Sequence, residues 1–246
     1  MKRITIAAIS MLALLSMAAG AGAAHARRKA PAKCTQVHAR LITADGQAQV
    51  YEETEPEAFP EYLGAWGCVY GRHRPYFLGP LPYGSASGAG GVRDETLAGS
   101  VVAYADTSIG GSQSGRAEWR VVVRDLRTGR VLHKVSTGAP LKPRPGYVGV
   151  GNVVSIVVKS DGAVAWIADD YERSRPFGAS GPEVPYFDVY AVDKSGTRLL
   201  AAGTEIDPSS LALSVGGSNI GQGSRTAPGS TLYWTQGGKS ESAILN

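Results

Sequence analysis

The sequence predicts an all-β fold, organised as an array of about four small antiparallel sheets. The chain contains 32 glycines and 14 prolines, which occur in frequent short clusters between strand-like segments. Apolar and polar residues alternate in several of these segments, and no segment after residue 26 has the pattern of an amphipathic helix. About 220 residues follow that point, which is enough for one array of small repeated units.

The first 26 residues have the layout of a secretory signal peptide. Two basic residues precede an apolar run that extends to residue 21, and small residues follow. Two small-x-small motifs would release a chain that begins at Ala24 or at Arg27. An uncleaved anchor is the alternative, because a membrane-spanning helix needs about 20 apolar residues. We expect cleavage, which predicts a secreted or cell-envelope protein without a membrane contact.

Charge gives no support for nucleic-acid binding. Without the signal peptide, 23 cationic residues face 21 acidic ones, a net charge of +2. Four of these cations lie in residues 27–33, which we interpret as a basic spacer, so the remainder is close to neutral. No basic face with interleaved aromatic residues occurs in the chain.

Cys34 and Cys68 are the two cysteines of the sequence. An exported chain favours a disulfide between them, because the compartment is oxidising. Neither a C-x-x-C motif nor a second pair of ligands at zinc spacing is present. The bridge would hold the N-terminal segment against the fold.

Two β-hairpins are predicted in equivalent registers. Residues 118–124 and 186–191 alternate between apolar and polar side chains, as half-buried strands do. Each segment runs into a turn, at residues 125–130 or 193–197, in which an Asp can accept backbone hydrogen bonds and a Gly can take a positive φ. A second strand follows each turn.

The strand upstream of each hairpin also repeats. A glycine is followed four or five residues later by an aromatic residue at Gly46 and Tyr51, Gly99 and Tyr104, Gly162 and Trp166, and Gly229 and Trp234. We interpret each glycine as the turn before an inner strand, and each aromatic as filling the gap between neighbouring sheets. The predicted units are residues 34–79, 93–138, 147–203 and 206–246, and such a period is typical of propellers and other repeat arrays.

A family resemblance follows from these repeats. Residues 160–166, Ser-Asp-Gly-Ala-Val-Ala-Trp, and the turn Asp-Leu-Arg-Thr-Gly at residues 125–129 resemble the repeats of secreted bacterial TolB-like and WD-type β-propellers of unassigned function. The resemblance implies a single propeller-like domain over residues 34–246. Four uneven units without a full WD signature also fit a partial propeller or an array that does not close.

Catalytic and cofactor motifs are missing from the sequence. It has no G-x-S-x-G elbow, no P-loop and no dinucleotide fingerprint, so we expect no cofactor. His133 lies in a strand pattern, where an outward or hydrogen-bonded histidine is the ordinary interpretation. The one local cluster of carboxylates is Asp169, Asp170 and Glu172 with Tyr171, which could bind a ligand such as Ca²⁺ or serve as a glycosidase pair. A solvated loop is the alternative interpretation.

Three functions remain open. The leading hypothesis is a non-catalytic secreted module that binds a protein, peptide or glycan through loops on one face. The second is an extracellular enzyme that acts on polysaccharide through the carboxylates at residues 169–172. The third is a structural envelope protein held by its basic spacer.

Overall fold

The structure, a computed structural model, describes Cys34 and residues 40–54, 63–72, 74–81, 90–109, 117–137, 151–170, 185–214 and 230–246. These residues form fifteen β-strands and no helix. Accordingly, no helix among them is long and apolar enough to cross a membrane. The signal peptide and the basic spacer lie outside the described residues, so both stay predictions.

The strands form four sheets, and consecutive strands within each sheet are antiparallel neighbours. Sheet 1 contains β1 (Arg40–Ala44), β2 (Ala48–Thr54), β3 (Leu63–Val69) and β4 (Tyr76–Pro80). Sheet 2 contains β5 (Val92–Ala98), β6 (Val101–Ile109), β7 (Ala117–Asp125) and β8 (Val131–Ser136). Sheet 3 contains β9 (Asn152–Val158), β10 (Val164–Asp170), β11 (Tyr186–Asp193) and β12 (Gly196–Gly203). Sheet 4 contains β13 (Ala212–Ser214), β14 (Ser230–Gln236) and β15 (Lys239–Leu245).

The predicted all-β fold of four small antiparallel sheets is confirmed. The strands of each sheet fall inside one predicted unit or extend at most one residue beyond its bounds. The first strands of successive sheets are neighbours, β1 beside β5, β5 beside β9 and β9 beside β13. Within the described residues, however, no strand of sheet 1 is a close neighbour of a strand of sheet 4. The four sheets therefore form an open, propeller-like array.

The hairpin turns form as the sequence predicts. The Asp125 carboxylate accepts hydrogen bonds from the Arg127 amide and the Thr128 hydroxyl, at 2.9 and 3.1 Å. Asp193 accepts one from the Ser195 amide at 2.8 Å. Gly129 has a φ of +74°, which an L side chain rarely adopts. Acceptor and glycine together fix the reversal after β7, and the same combination recurs after β11.

Three apolar clusters join the sheets, and an aromatic residue of an inner strand lies in each. Tyr104 packs between sheets 1 and 2, Trp166 between sheets 2 and 3, and Trp234 between sheets 3 and 4. These three predicted positions are confirmed. Tyr51 differs, because it lies on the outer face of sheet 1, in a cluster with the disulfide, and no other sheet of the described residues packs against it there.

That outer face carries the disulfide. Cys34 and Cys68 are bonded, with their Cα atoms 5.8 Å apart, as the sequence predicts. Cys68 belongs to β3 and lies in one apolar cluster with Tyr51 and Trp66. The side-chain amide of Gln49 donates a hydrogen bond of 2.6 Å to the Cys34 carbonyl. The bridge therefore attaches the N-terminal segment to a face that would otherwise expose two large aromatic side chains.

Two glycines allow a test of how sheets 1 and 2 meet. Gly129 and Gly71 have almost the same φ, +74° and +73°. A Cβ on Gly129 would lie 2.1 Å from the Tyr76 ring of sheet 1, whereas a Cβ on Gly71 would meet nothing within 4 Å. Gly71→Ala should cost about 1–2 kcal/mol for backbone strain alone. Gly129→Ala should cost about 1–3 kcal/mol more, because the overpacked contact must open.

Urea denaturation of both variants measures the difference. Equal losses of unfolding free energy would show that the Gly129 turn does not pack on Tyr76.

Candidate functional site

The two ends of sheets 1–3 differ. At one end, tight turns join the first strand to the second and the third to the fourth; we call this the turn end. At the other end, which we call the loop end, the second strand leaves each sheet and the third enters it, across residues 55–62, 110–116 and 171–185. The chain also passes between sheets there, across residues 81–91, 137–151 and 204–211. In sheet 4 the tight turn at Gly237 and Gly238 lies at the loop end instead.

The predicted ligand-binding residues start at the loop end of sheet 3. Asp169 and Asp170 are the last two residues of β10, and the backbone of Asp170 pairs with Tyr186. The Asp169 carboxylate is half-buried and accepts a hydrogen bond of 2.8 Å from the Asn152 amide at the start of β9. The Asp170 side chain, Tyr171 and Glu172 lie outside the described residues. Ligand binding by this group stays a prediction. One of its carboxylates, that of Asp169, makes a structural hydrogen bond to the neighbouring strand.

A second pair of carboxylates, which the sequence analysis missed, lies on β5. The pairing of β5 with β6 shifts in register between Arg93 and Thr96, so Asp94 and Glu95 form a β-bulge. Among the described residues, Asp94 is the only one other than glycine with a positive φ, at 54°. Asp tolerates this left-handed region better than most residues, but its backbone still carries strain. Bulges and strained residues are common near functional sites, although neither establishes one.

Both carboxyl groups of the bulge titrate above their ordinary range. Burial raises the pKa of Asp94, and the nearby Arg93 charge only partly opposes this effect. Burial also raises the pKa of Glu95, and the negative charges of Asp94 and Glu52 raise it further, against one backbone hydrogen bond that lowers it. The Glu95 Oε1 atom is buried and has no hydrogen-bond partner in the structure. An ionised Glu95 is therefore poorly compensated.

The bulge lies beside a charged group of sheet 1. β5 is a neighbour of β1 and β2. An Arg40 guanidinium nitrogen lies 3.3 Å from Oε1 of Glu52, so the Arg40 charge is paired with Glu52. Carboxyl groups in this setting can bind a cationic or hydroxyl-rich ligand, or donate a proton. Within the described part of the chain, no three His, Cys, Asp or Glu side chains are grouped to hold a metal ion.

The turn end carries a small pocket of about 100 Å³ between sheets 2 and 3. His133 lines it with Asp161, Asp193 and Lys194. Burial lowers the pKa of His133, which favours the neutral imidazole at neutral pH. Although burial alone would raise the pKa of Asp193, backbone hydrogen bonds from Asn246 and Ser195 and the Arg198 charge lower it. The two aspartates accept backbone hydrogen bonds within turns and form ion pairs with cationic side chains. These structural contacts account for the charged groups that line the pocket.

Replacement of Glu95 by glutamine should stabilise the protein at neutral pH. Because the folded-state pKa of Glu95 is raised, its contribution to the free energy of unfolding is fully present below the unfolded-state pKa, near 4.3. That contribution is lost as the pH rises through the folded-state pKa. Glu95→Gln removes this loss, so we expect a melting temperature about 2 °C higher at pH 7 and no difference near pH 3.

Thermal unfolding between pH 3 and pH 8 provides the measurement. Glu205→Gln, which removes an exposed negative charge elsewhere, is the control and should have little effect. A Glu95→Gln variant that is less stable than the parent at pH 7 would contradict the inference that the ionised Glu95 carboxylate is poorly compensated.

Comparisons with known proteins found no match, either with a protein-family model or with a curated protein.

Proposed function

We propose that this chain is an exported, non-catalytic binding module of the TolB-like or WD-type propeller kind, and that its loop end binds a protein, peptide or glycan. The observation that carries the proposal is the difference between the two ends of sheets 1–3. Tight, hydrogen-bonded turns join the strands at one end, whereas the strand ends at the other are joined by six connections of seven or more residues. Loops held by a rigid scaffold are the usual place for binding residues.

Electrostatics indicate which part of the loop end takes part. Asp94 and Glu95 lie there at the start of β5, next to Glu52 at the end of β2. Burial has already removed part of the water around the Glu95 carboxyl group, so a ligand would lose less solvation there than at an exposed acid, whereas the Asp94 side chain is exposed and accessible to a ligand. Sugar hydroxyl groups and basic peptide side chains are suitable donors to such carboxyl groups.

The disulfide is consistent with an oxidising compartment. Export through a signal peptide is part of the proposal. A mature N-terminus at Ala24 or Arg27, determined by N-terminal sequencing of secreted protein, would support it.

A thermal-shift screen of the oxidised protein tests the binding function. Probes should include Ca²⁺, oligosaccharides, and basic, neutral and acidic peptides. Because selective binding to the native state must raise stability, a ligand at 100 times its Kd should add about 2.7 kcal/mol. If no class of probe raises the melting temperature, the proposal fails for the classes tested.

Matched variants then locate the site. Asp94→Asn removes a charge but retains a residue that tolerates the left-handed region. We expect it to weaken binding about tenfold, as loss of a charge-assisted hydrogen bond does. Lys194→Ala at the turn end should leave binding unchanged. The reverse pattern would place the site at the turn end and contradict the proposal.

An extracellular enzyme acting on polysaccharide is the second candidate, and the raised pKa of Glu95 is the observation that favours it. A carboxyl group that keeps its proton to higher pH can act as a general acid in glycoside hydrolysis. Release of reducing ends from envelope polysaccharide tests this function, and Glu95→Gln should abolish it. Activity that survives Glu95→Gln but is lost in Asp169→Ala would move the chemistry to sheet 3.

A further inference from the structure

Sheet 4 has three strands in the described residues, whereas each of the other sheets has four. In sheets 1–3 the fourth position is filled by β4, β8 or β12. In sheet 4 that position, beside β15, holds no described strand. Lys239, Ser240, Glu241 and Ser242 of β15 are all exposed, so no part of the chain that the structure describes covers this stretch of the edge.

The β15 edge is more regular than the other long edges. In sheets 1–3 every edge strand pairs with its neighbour through a register shift. Such bulges twist an edge away from other chains and protect it from pairing. By contrast, β14 and β15 pair over seven consecutive residues without a shift, from Ser230↔Leu245 to Gln236↔Lys239. The edge that lacks a fourth strand therefore also lacks this protection.

The turn before β15 determines which backbone groups face outward. Gly237 and Gly238 both have positive φ values, 58° and 73°, as a type I′ turn requires. Such a turn closes on a hydrogen-bonded pair, so the Lys239 backbone faces β14 and the next residue faces outward. By alternation Ser240, Ser242 and Ile244 present N–H and C=O groups at the open edge. The Ile244 carbonyl already accepts a hydrogen bond of 3.0 Å from Arg198, which occupies that end.

These positions select one way in which two copies of the chain can pair. With a two-fold axis at Ser240, Lys239 of each copy lies opposite Glu241 of the other, and opposite charges across strands stabilise a sheet. An axis at Glu241 would place the two glutamates opposite each other, which is unfavourable. An axis at Ser242 would bring Ser240 opposite Ile244, whose carbonyl Arg198 occupies. Only the first arrangement has complementary charges; because β15 begins at Lys239, it pairs residues 239–241 of each copy, with Ser240 supplying the outward-facing backbone groups.

We propose that the β15 edge binds a second copy of this chain, in antiparallel register about Ser240, to form a six-stranded sheet across a two-fold dimer. A second copy fits this edge because the charges along β15 are self-complementary and because the described residues hold no fourth strand beside it. Such an interface is isologous and self-limiting, because each copy contributes the same edge and the two-fold axis closes the pair. The dimer does not depend on the function proposed for the loop ends of sheets 1–3.

Sedimentation equilibrium of the oxidised chain over a range of concentrations tests the proposal. We expect a monomer–dimer equilibrium. Glu241→Lys places lysines opposite each other at two positions and should raise the dissociation constant about tenfold at low salt. The double variant Lys239→Glu with Glu241→Lys restores both pairs and should restore the affinity of the parent. Glu205→Lys, the same change at an exposed residue outside the edge, should have no effect.

A proline substitution tests the backbone pairing. Ser240→Pro removes an N–H that faces away from β14, so the monomer should keep its near-ultraviolet circular dichroism while the dimer is lost. A parent chain that stays monomeric at all concentrations would overturn the proposal. So would a dimer that survives both Ser240→Pro and Glu241→Lys, because another surface would then hold the two copies together.

Discussion

Trp166→Ala should reduce the free energy of unfolding by about 3–5 kcal/mol, the usual cost of removing a buried aromatic side chain. Trp166 is 0% exposed and lies in the apolar cluster between sheets 2 and 3. Its ring stacks on Tyr190, with the ring centroids 5.4 Å apart. The alanine variant would leave a cavity at a sheet interface, and two neighbouring β-sheets cannot close it without moving as units.

A conservative variant keeps this prediction testable even if the alanine variant does not fold. The Trp166 indole N–H is buried and has no hydrogen-bond partner, so Trp166→Phe removes an uncompensated polar group as well as part of the ring. We expect Trp166→Phe to cost about 1–2 kcal/mol, well below the alanine variant. Urea denaturation measures both values. Equal costs for the two variants would mean that ring volume does not determine the stability of this interface.

The repeat pattern was sufficient to predict the fold because its signals are local. Period-two alternation defines strands, and an Asp followed by a Gly defines a turn whatever the neighbouring sheet does. Tyr104, Trp166 and Trp234 therefore fell in the predicted gaps between sheets. Tyr51 did not, because its position in the repeat is the same but its sheet is the first among the described residues. The sequence of one repeat carries no information about whether another sheet precedes it.

The candidate site was harder to predict. Asp94 and Glu95 stand in a polar stretch of β5 that resembles any exposed strand, and their significance comes from a register shift against β6 and from the burial of the Glu95 carboxyl group beside sheet 1. Both features depend on partners distant in sequence. Asp169 illustrates the opposite difficulty, because a carboxylate at a strand end can bind a ligand or the amide of a neighbouring strand. The structure shows the second contact for Asp169.

Loss of the Cys34–Cys68 disulfide should cost about 4 kcal/mol, because the bridge closes a loop of 34 residues in the unfolded chain. The double variant Cys34→Ala with Cys68→Ala measures this cost in urea denaturation. Addition of a reductant should destabilise the parent by a similar amount and leave the double variant unchanged. A reductant effect of equal size on both proteins would contradict the assignment.

The position of the disulfide also predicts where the structure opens first. The bridge lies in the apolar cluster on the outer face of sheet 1 and not in any of the three clusters that join the sheets. On reduction, we expect hydrogen exchange of the β2 and β3 amides to accelerate more than that of the β10 and β11 amides. Uniform acceleration across all four sheets would mean that the bridge stabilises the whole array as one cooperative unit. Faster exchange in β2 and β3 than elsewhere would instead mean that the bridge acts mainly on sheet 1.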